Sequence, residues 1–440
     1  MNENVLVIGG GVAGIQASLD LANKGFSVYM VEKEPSIGGR MSQFDKTFPT
    51  NDCSICILAP KMIDCFNHPN ITVYSYSELD GVEGSAGDFK VRVVRHPRYV
   101  DENKCTGCCA CLDVCRLKDR FLNEFEVGLG KRGAIYLPFL QAVPRVTTID
   151  SEGCIFLTKG KCGKSPPCID ACEAEAIDFE QGESIVELNV SSIIVATGLD
   201  VYDPSDIEEY GFSKYENVLT GMQYERLINA AGPTHGHLEK PSDGELAKRL
   251  AFIHCVGCRD LNRYAYCCAV CCMYATKDAM LAREHDDEMD SYVFYSELRA
   301  FGKGFNEYIE RGKTDYEINY IRSKPGKITE DPETKNLTLW YEDTATRELK
   351  TLEVDMVVLA TALTPRKESK KLAEILGVDL DRYGFFDVKD KLYAPTETKV
   401  PGIFVAGYCQ SPKDIPDSIA QGSGAAAKAT EIIASLKEGN

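Results

Sequence analysis

The sequence predicts an α/β protein with two dinucleotide-binding units and a cysteine-rich α+β segment inserted into the first. Three observations predict it. A glycine fingerprint opens the chain between a strand and a helix, a second strand–turn–helix–strand pattern begins at Arg249, and residues 100–180 interrupt the strand pattern with cysteines. At 440 residues the chain is long enough for roughly two to four domains. Hydrophobic residues make up 44% and charged residues 26%, which excludes a predominantly disordered chain.

The first strand is Val5 to Ile8. Gly9 to Gly14 (GGGVAG) opens a helix expected to reach about Lys24, and Ser27 to Val31 forms the next strand, ending at Glu32. Gly9 suits a tight turn, Gly11 lets backbone approach a pyrophosphate, and Gly14 lets the helix pack on the strand. Glu32 follows Gly14 by 18 residues, where a carboxylate accepts from ribose hydroxyls. The competing reading is a glycine-rich turn without a ligand. Ile71 to Val94 reads as short strands with turns at Asp80-Gly81 and at Gly84 to Gly87. The pattern resumes at Ser184 to Val195 and closes in Ala196-Thr197-Gly198.

The second unit has a strand at Arg249 to Ile253, a helix from about Tyr274 to Glu284, a strand at Tyr292 to Tyr295 and a closing strand at Val354 to Ala360. Ile403 to Gly407 is a last strand and turn, followed by a small-residue helix from about Gln421 to Ser435. Asp286-Asp287-Glu288 reads as a solvated turn. The expected boundaries are 1–99 for the first part of one dinucleotide-binding domain, 100–180 for the insertion and 181–220 for its continuation. The second Rossmann-like domain takes 221–362, and 363–440 returns to the first domain.

The net charge is −18, from 49 basic and 67 acidic residues, the wrong sign for a general nucleic-acid binder or an anionic membrane surface. No stretch approaches the roughly 20 apolar residues of a membrane span. Met1 to Val5 carries no basic region, so the start reads as strand and turn rather than a signal peptide, and the expected compartment is the cytoplasm. There, 19 cysteines point to metal ligands or redox groups rather than a disulfide scaffold.

Cys105, Cys108, Cys111 and Cys115 follow C-x2-C-x2-C-x3-C, the run of bacterial two-cluster ferredoxins, whose fourth cysteine reaches the other cluster. Cys154, Cys162, Cys168 and Cys172 end with the same x3 gap. The expected sets are Cys105, Cys108, Cys111 and Cys172 on one [4Fe–4S] cluster, and Cys154, Cys162, Cys168 and Cys115 on the other. Zinc is the competing metal. Arg116 stands where that run usually has proline.

A third group, Cys255, Cys258, Cys267, Cys268, Cys271 and Cys272, follows the strand at Arg249. A nicotinamide dinucleotide would require glycines in that turn, so the unit is expected to have exchanged NAD(P) for an iron–sulfur cluster, against the alternative of buried free thiols. Cys53 and Cys56 form another C-x2-C with Cys65 nearby. Ligands, a redox pair and buried thiols all remain open for them. The six histidines form no ligand set; His235 and His237 are expected to face solvent.

Longer motifs then point to a family. With Gly38 to Met41 (GGRM), Thr47 to Lys61 (TFPTNDCSICILAPK), Cys255 to Met273 (CVGCRDLNRYAYCCAVCCM) and Asp414 to Ala427 (DIPDSIAQGSGAAA), the whole chain resembles the A-type subunits of heterodisulfide reductase. These are the flavin and iron–sulfur subunits of methanogens and related anaerobes. The resemblance implies a thioredoxin-reductase-like flavoprotein fold binding FAD, two clusters in the insertion and one more at Cys255–Cys272. It also implies electron bifurcation: FAD takes an electron pair and sends one electron to ferredoxin and the other to a disulfide-reducing partner.

By position, Gly9, Gly11, Val12, Ala13, Gly14, Glu32 and Lys33 would hold the ADP half of FAD. Gly39, Arg40 and Met41 would lie along the pyrophosphate and flavin, with Ala196, Thr197 and Gly198 at the first crossover. Gly407 and the helix starting near Gln421 would face the flavin, the helix N-terminus stabilising negative charge on the reduced ring. Cys255, Cys267, Cys271 and Cys272 match the family's third cluster. No side-chain acid or base stands out; the redox centre is the flavin, with Cys53 and Cys56 as candidate thiols near it.

The sequence departs from the family at Cys258 and Cys268, usually serine, and at Tyr408, where many related flavoproteins have aspartate. The sequence ends soon after its last helix and is read as a short form, in which the second ferredoxin domain of longer members, one exit for low-potential electrons, is not expected. The implied partners are B and C subunits of the heterodisulfide-reductase type, an electron-input enzyme such as a hydrogenase or formate dehydrogenase, and ferredoxin. The competing functions are a non-bifurcating electron relay and docking role, a stand-alone NAD(P)H-linked reductase and a zinc-binding interaction protein.

Overall fold

The computed structural model describes residues 3–438. The chain forms two compact units: residues 1–42, 55–199 and 365–440 make the first, and residues 43–54 and 200–364 the second.

The first unit is organised on a five-stranded parallel sheet with Val5–Ile8 at its centre. Its order is Ile403–Val405, Ser192–Val195, Val5–Ile8, Val28–Val31, Ile71–Tyr74. The central strands are continuous apolar runs because both faces of a parallel sheet are covered; Val5, Leu6 and Val7 are wholly buried. Helix Val12–Asn23 follows the first strand, and the long helix Ile415–Glu438 packs beside it. The fit is tight enough that a Cβ on Gly422 would lie 2.6 Å from the Ala13 carbonyl oxygen, which explains a glycine inside a helix.

Ser77–Ser85, Asp88–Arg95 and Ser184–Val190 form a three-stranded antiparallel sheet. The turn expected at Asp80-Gly81 is instead a bulge inside the first of these strands, and the chain reverses at Ala86-Gly87. Gly81 leaves room for the Arg92 side chain, which crosses over it to pair with Asp80. The cysteine-rich insertion leaves this sheet at Arg95 and returns at Ser184, which are direct register partners. Arg98, 3% exposed, pins its root by donating to the Pro35 carbonyl at 2.7 Å, Ser75 Oγ at 2.8 Å and Thr148 Oγ1 at 3.0 Å.

The second unit has its own five-stranded parallel sheet, in the order Val218–Thr220, Met356–Thr361, Arg249–Val256, Asp290–Tyr295, Asn319–Arg322. Lys327–Glu330, Leu337–Asp343 and Glu348–Val354 add a three-stranded antiparallel sheet. The strand expected over Val354 to Ala360 is therefore two strands in two sheets. They break at Asp355, whose carboxylate turns back to accept from Lys248 N and Arg249 N at 2.6 and 2.9 Å. The helix expected from Tyr274 spans Cys271–His285, so Cys271 and Cys272 lie in its first turn.

The C-terminal helix begins at Ile415, six residues before Gln421. Asp414 caps it by accepting from Asp417 N at 2.9 Å, and proline is tolerated in a first turn. Gln421 thus lies in the second turn rather than at the N-terminus.

Candidate functional site

The glycine fingerprint has the geometry its spacing predicts. Gly9 sits at φ +106°, and a Cβ there would lie 2.4 Å from the Ala196 carbonyl oxygen. A Cβ on Gly14 would lie 1.9 Å from the Gly9 carbonyl oxygen, whereas one on Gly11 would meet nothing within 4 Å. Gly11 caps the helix with no side chain and no acid follows in the first turn, so its free N–H groups point at open space suited to a phosphate. Val12 and Ala13 supply the first of these amides. Glu32 reaches back from the second strand, accepting from Gly10 N at 2.6 Å and Glu34 N at 2.8 Å. Burial raises its pKa, opposed by those two backbone bonds. Lys33 points away to pair with Glu368.

Gly38 donates to the Gly10 carbonyl at 2.8 Å, and Gly39, at φ +58°, would put a Cβ 2.9 Å from Gly11 Cα. The turn carrying half-buried Arg40 and buried Met41 therefore lies along the glycine loop. On the neighbouring strand end, Ala196 N donates to the Ile8 carbonyl and Gly198 takes φ +75°, with Thr197 between them. Gly407 N donates to Gln421 Oε1 at 2.9 Å. Lys413, which the sequence did not single out, donates to the carbonyls of Gly407 and Ser411, each at 2.8 Å. Burial pushes its pKa down to about 8, against the opposing Cys409 and Asp417. These cradles, open where a ligand's backbone would run and closed by glycine elsewhere, fit the ADP half of a flavin dinucleotide.

The insertion packs around cysteines. Cys111 and Cys154 belong to its core, with Cys105, Cys115, Cys168 and Cys172 partly buried against it. Cys111 is pushed up to about 11 by burial, and Cys105, Cys109 and Cys172 act on it. Cys168 is pushed up to about 12 by burial, and Cys162 is raised the same way; both feel Cys154 and Cys115. Cys115 thus sits with the second set and Cys172 with the first. Cys108 is exposed, while Cys109, left out of the ferredoxin spacing, faces Cys111 from a left-handed backbone at φ +66°. Ser36 Oγ accepts from Val143 N at 2.8 Å, and Ile37 N donates to the Val143 carbonyl at 3.0 Å. These bonds fasten the insertion one residue before Gly38.

In the second unit the strand Arg249–Val256 runs directly into Cys255, with a register shift between Ile253 and Val256. The loop after it occupies the place that the glycine loop holds in the first unit. Cys255, Cys258, Cys268, Cys271 and Cys272 are all buried, and Cys267 less so. Cys271 contacts Cys255, Cys258, Cys268 and Cys272, while Cys267 faces Cys268. Bonds with Cys258 and Cys271 pull Cys255 down to about 4, and a bond with Cys271 does the same for Cys272, beside buried His254.

Backbone N–H groups donate to sulfur from Arg299 to Cys272, from Ala269 to Cys267 and from Ala176 to Cys172, each at 3.4 Å. Soft thiols in groups, supported by N–H···S bonds, fit iron–sulfur clusters. Among the described residues no three His, Cys, Asp or Glu side chains are grouped to share a single metal ion. Cys53 and Cys56 are disulfide-bonded, Cys65 is a buried free thiol, and His235 and His237 are exposed. No described helix is long and apolar enough to cross a membrane.

Comparison with known proteins agrees with this geometry. The family model of FAD dependent oxidoreductases matches residues 4–52, and that of pyridine nucleotide-disulphide oxidoreductases residues 290–426. Thioredoxin reductase of Lactococcus lactis superposes with TM-score 0.53 at 16% identity, covering 98% of this chain and 99% of that one, a likeness of fold. An A-type iron-sulfur subunit of the CoB–CoM heterodisulfide reductase of Methanopyrus kandleri is 53% identical over 99% of this chain and 65% of its own length. The A-type subunit of the H2:CoB-CoM heterodisulfide,ferredoxin reductase of Methanothermobacter thermautotrophicus is 47% identical over 98% of this chain and 64% of its own. The chain therefore spans a little under two thirds of the length of these relatives. With a thioredoxin-reductase-like fold beneath that sustained identity, the chain is similar over almost its whole length to A-type heterodisulfide reductase subunits.

Proposed function

We propose that the chain is the FAD and iron–sulfur electron-transfer subunit of a heterodisulfide-reductase-like complex. In this reading it divides electron pairs between ferredoxin and a disulfide-reducing partner. The observation that carries it is the exchange at one topological position: a glycine loop shaped for a dinucleotide in the first unit, a loop of buried thiols in the second. A bound FAD supplies interconversion between two-electron and one-electron transfer, and clusters supply one-electron stations. The chain's residues do the positioning. Gly9, Gly11, Gly14 and Glu32 would hold the adenosine end. Cys105, Cys108, Cys111 and Cys172, with Cys115, Cys154, Cys162 and Cys168, would hold two clusters, and the Cys255–Cys272 loop a third. The partners are B- and C-type subunits, a hydrogenase or formate dehydrogenase as electron input, and ferredoxin, in the cytoplasm.

The test is anaerobic purification with flavin, iron and zinc counted per chain. It is followed by reduction of ferredoxin and heterodisulfide in the reconstituted complex. One FAD, iron for three [4Fe–4S] clusters and obligatory coupling of the two reductions are expected. Zinc in place of iron, or no flavin, would overturn the assignment. Disulfide reduction that proceeds fully without ferredoxin would reduce the role to a relay, and flavin reduction by NAD(P)H would indicate a stand-alone reductase.

A further inference from the structure

Beyond its first turn of cysteines, helix Cys271–His285 carries buried charges that the proposed electron path does not use. Lys277 is 1% exposed, Asp278 is wholly buried, and Glu225, on helix Gly221–Ile228, is 4% exposed. The Lys277 ammonium pairs with Glu225, lies 3.0 Å from Asp278 Oδ1 and donates to the Lys46 carbonyl at 3.1 Å. Glu225 also accepts from Asp45 N at 3.0 Å. Beyond its pairing with Lys277, the carboxylate of Asp278 has no backbone donor among the described residues. One ammonium faces two buried carboxylates that lie close together, and two adjacent buried carboxylates favour holding a proton.

The surroundings add a second buried cation. Arg226 is buried beside them and directs NH1 to the Gln43 carbonyl at 2.9 Å. Burial and Glu225 raise Asp278 well above the carboxylate range, against Lys277. Half-buried Asp45 rises to about 6 through burial and the charge of Glu225, opposed by Lys277, Lys46 and Arg226. Tyr224 on helix Gly221–Ile228 and Tyr308 on helix Phe305–Thr314 are buried phenols, and Tyr274 on the same helix as Asp278 is a half-buried one; all three have raised pKa values and are uncharged. Besides burial, the largest effects on Asp278 come from Glu225 and Lys277, both on helices.

Asp278 follows Cys272 by six residues, about 9 Å along a helix. At that separation inside a protein one added charge changes proton affinity by roughly tenfold. We propose that the Asp278–Glu225 pair is a redox-linked proton site, taking up one proton from solvent for the electron that enters the cysteine centre at the start of this helix. The electron, from the one-electron donor of the complex, stays on the centre. The proton binds a carboxylate oxygen, with Asp45 as its entry from solvent, and leaves on reoxidation. The inference rests on the reading of that centre as a redox cluster.

The test uses the whole anaerobically purified chain, reduced stepwise with dithionite at fixed pH values from about 6 to 9, with EPR following the centre. Its midpoint potential is expected to fall with rising pH by about 59 mV in all, the equivalent of a tenfold change. Asp278→Asn is expected to flatten the dependence while iron content is kept. Reduced-minus-oxidised infrared spectra should carry a protonated-carboxyl band that disappears in Asp278→Asn, with Glu225→Gln as the second variant. A flat wild-type profile, or a slope that survives both substitutions, overturns the proposal with the cluster intact. Absence of iron from Cys255–Cys272 overturns the functional reading itself, and this inference with it.

Discussion

At the scale of single residues, Gly11 and Gly14 separate binding from folding. A methyl group on Gly14 collides with the Gly9 carbonyl, so Gly14→Ala is expected to destabilise the first unit by about 1–3 kcal/mol, read as a lower urea midpoint. A methyl group on Gly11 meets no protein atom, so Gly11→Ala is expected to keep the wild-type midpoint and bind FAD at least tenfold more weakly. Equal stability loss in both variants would refute the division. Spacing alone singled out these glycines and Glu32 as candidates, because a dinucleotide dictates both residue type and interval. It missed Cys109 and His254: the ferredoxin interval skips the first, and nothing local marks a histidine that acts through a fold neighbour.

At the scale of elements, the turn between Ile403–Val405 and helix Ile415–Glu438 depends on a half-buried lysine. Lys413 has a folded pKa of about 8, below its ordinary 10.5, because burial disfavours its charge. Between those values the unfolded chain binds more protons than the folded one, so this group's contribution to stability rises with pH. Wild type is therefore expected to gain stability over Lys413→Gln from pH 8 to 10 in parallel urea titrations. A difference that does not change with pH would show that the lysine stays charged. Element existence was legible from periodicity; boundaries failed where a side chain replaced backbone partners. Asp414 starts the last helix six residues early, Asp355 splits one expected strand into two, and Gly81 with Arg92 turns an expected reversal into a bulge.

At the scale of the whole molecule, both units repeat one plan, a five-stranded parallel sheet with a three-stranded antiparallel sheet beside it. The cysteine-rich insertion interrupts only the first. It departs and returns at paired residues, Arg95 and Ser184, about 5 Å apart in an antiparallel ladder. Replacing residues 96–183 by a short turn is therefore expected to leave a folded chain that binds FAD and has lost the iron of two clusters. Loss of flavin together with the iron would show that the insertion is needed to shape the dinucleotide site, through Arg98 and Val143. The repeated plan was readable as two strand–turn–helix patterns. The antiparallel sheet of the second unit was not, since half-exposed strands such as Glu348–Val354 carry a weaker apolar signal.

The cysteine loop of the second unit bends through left-handed backbone at Cys255, Arg259 and Ala269, none of them glycine. Each such residue stores on the order of 1 kcal/mol, held in place by the surrounding sheet and helix. The loop is thus a sprung jaw rather than a slack tether. Its grip is set by the fold before anything is gripped, so its preference among soft metal centres is decided by shape first and by sulfur second.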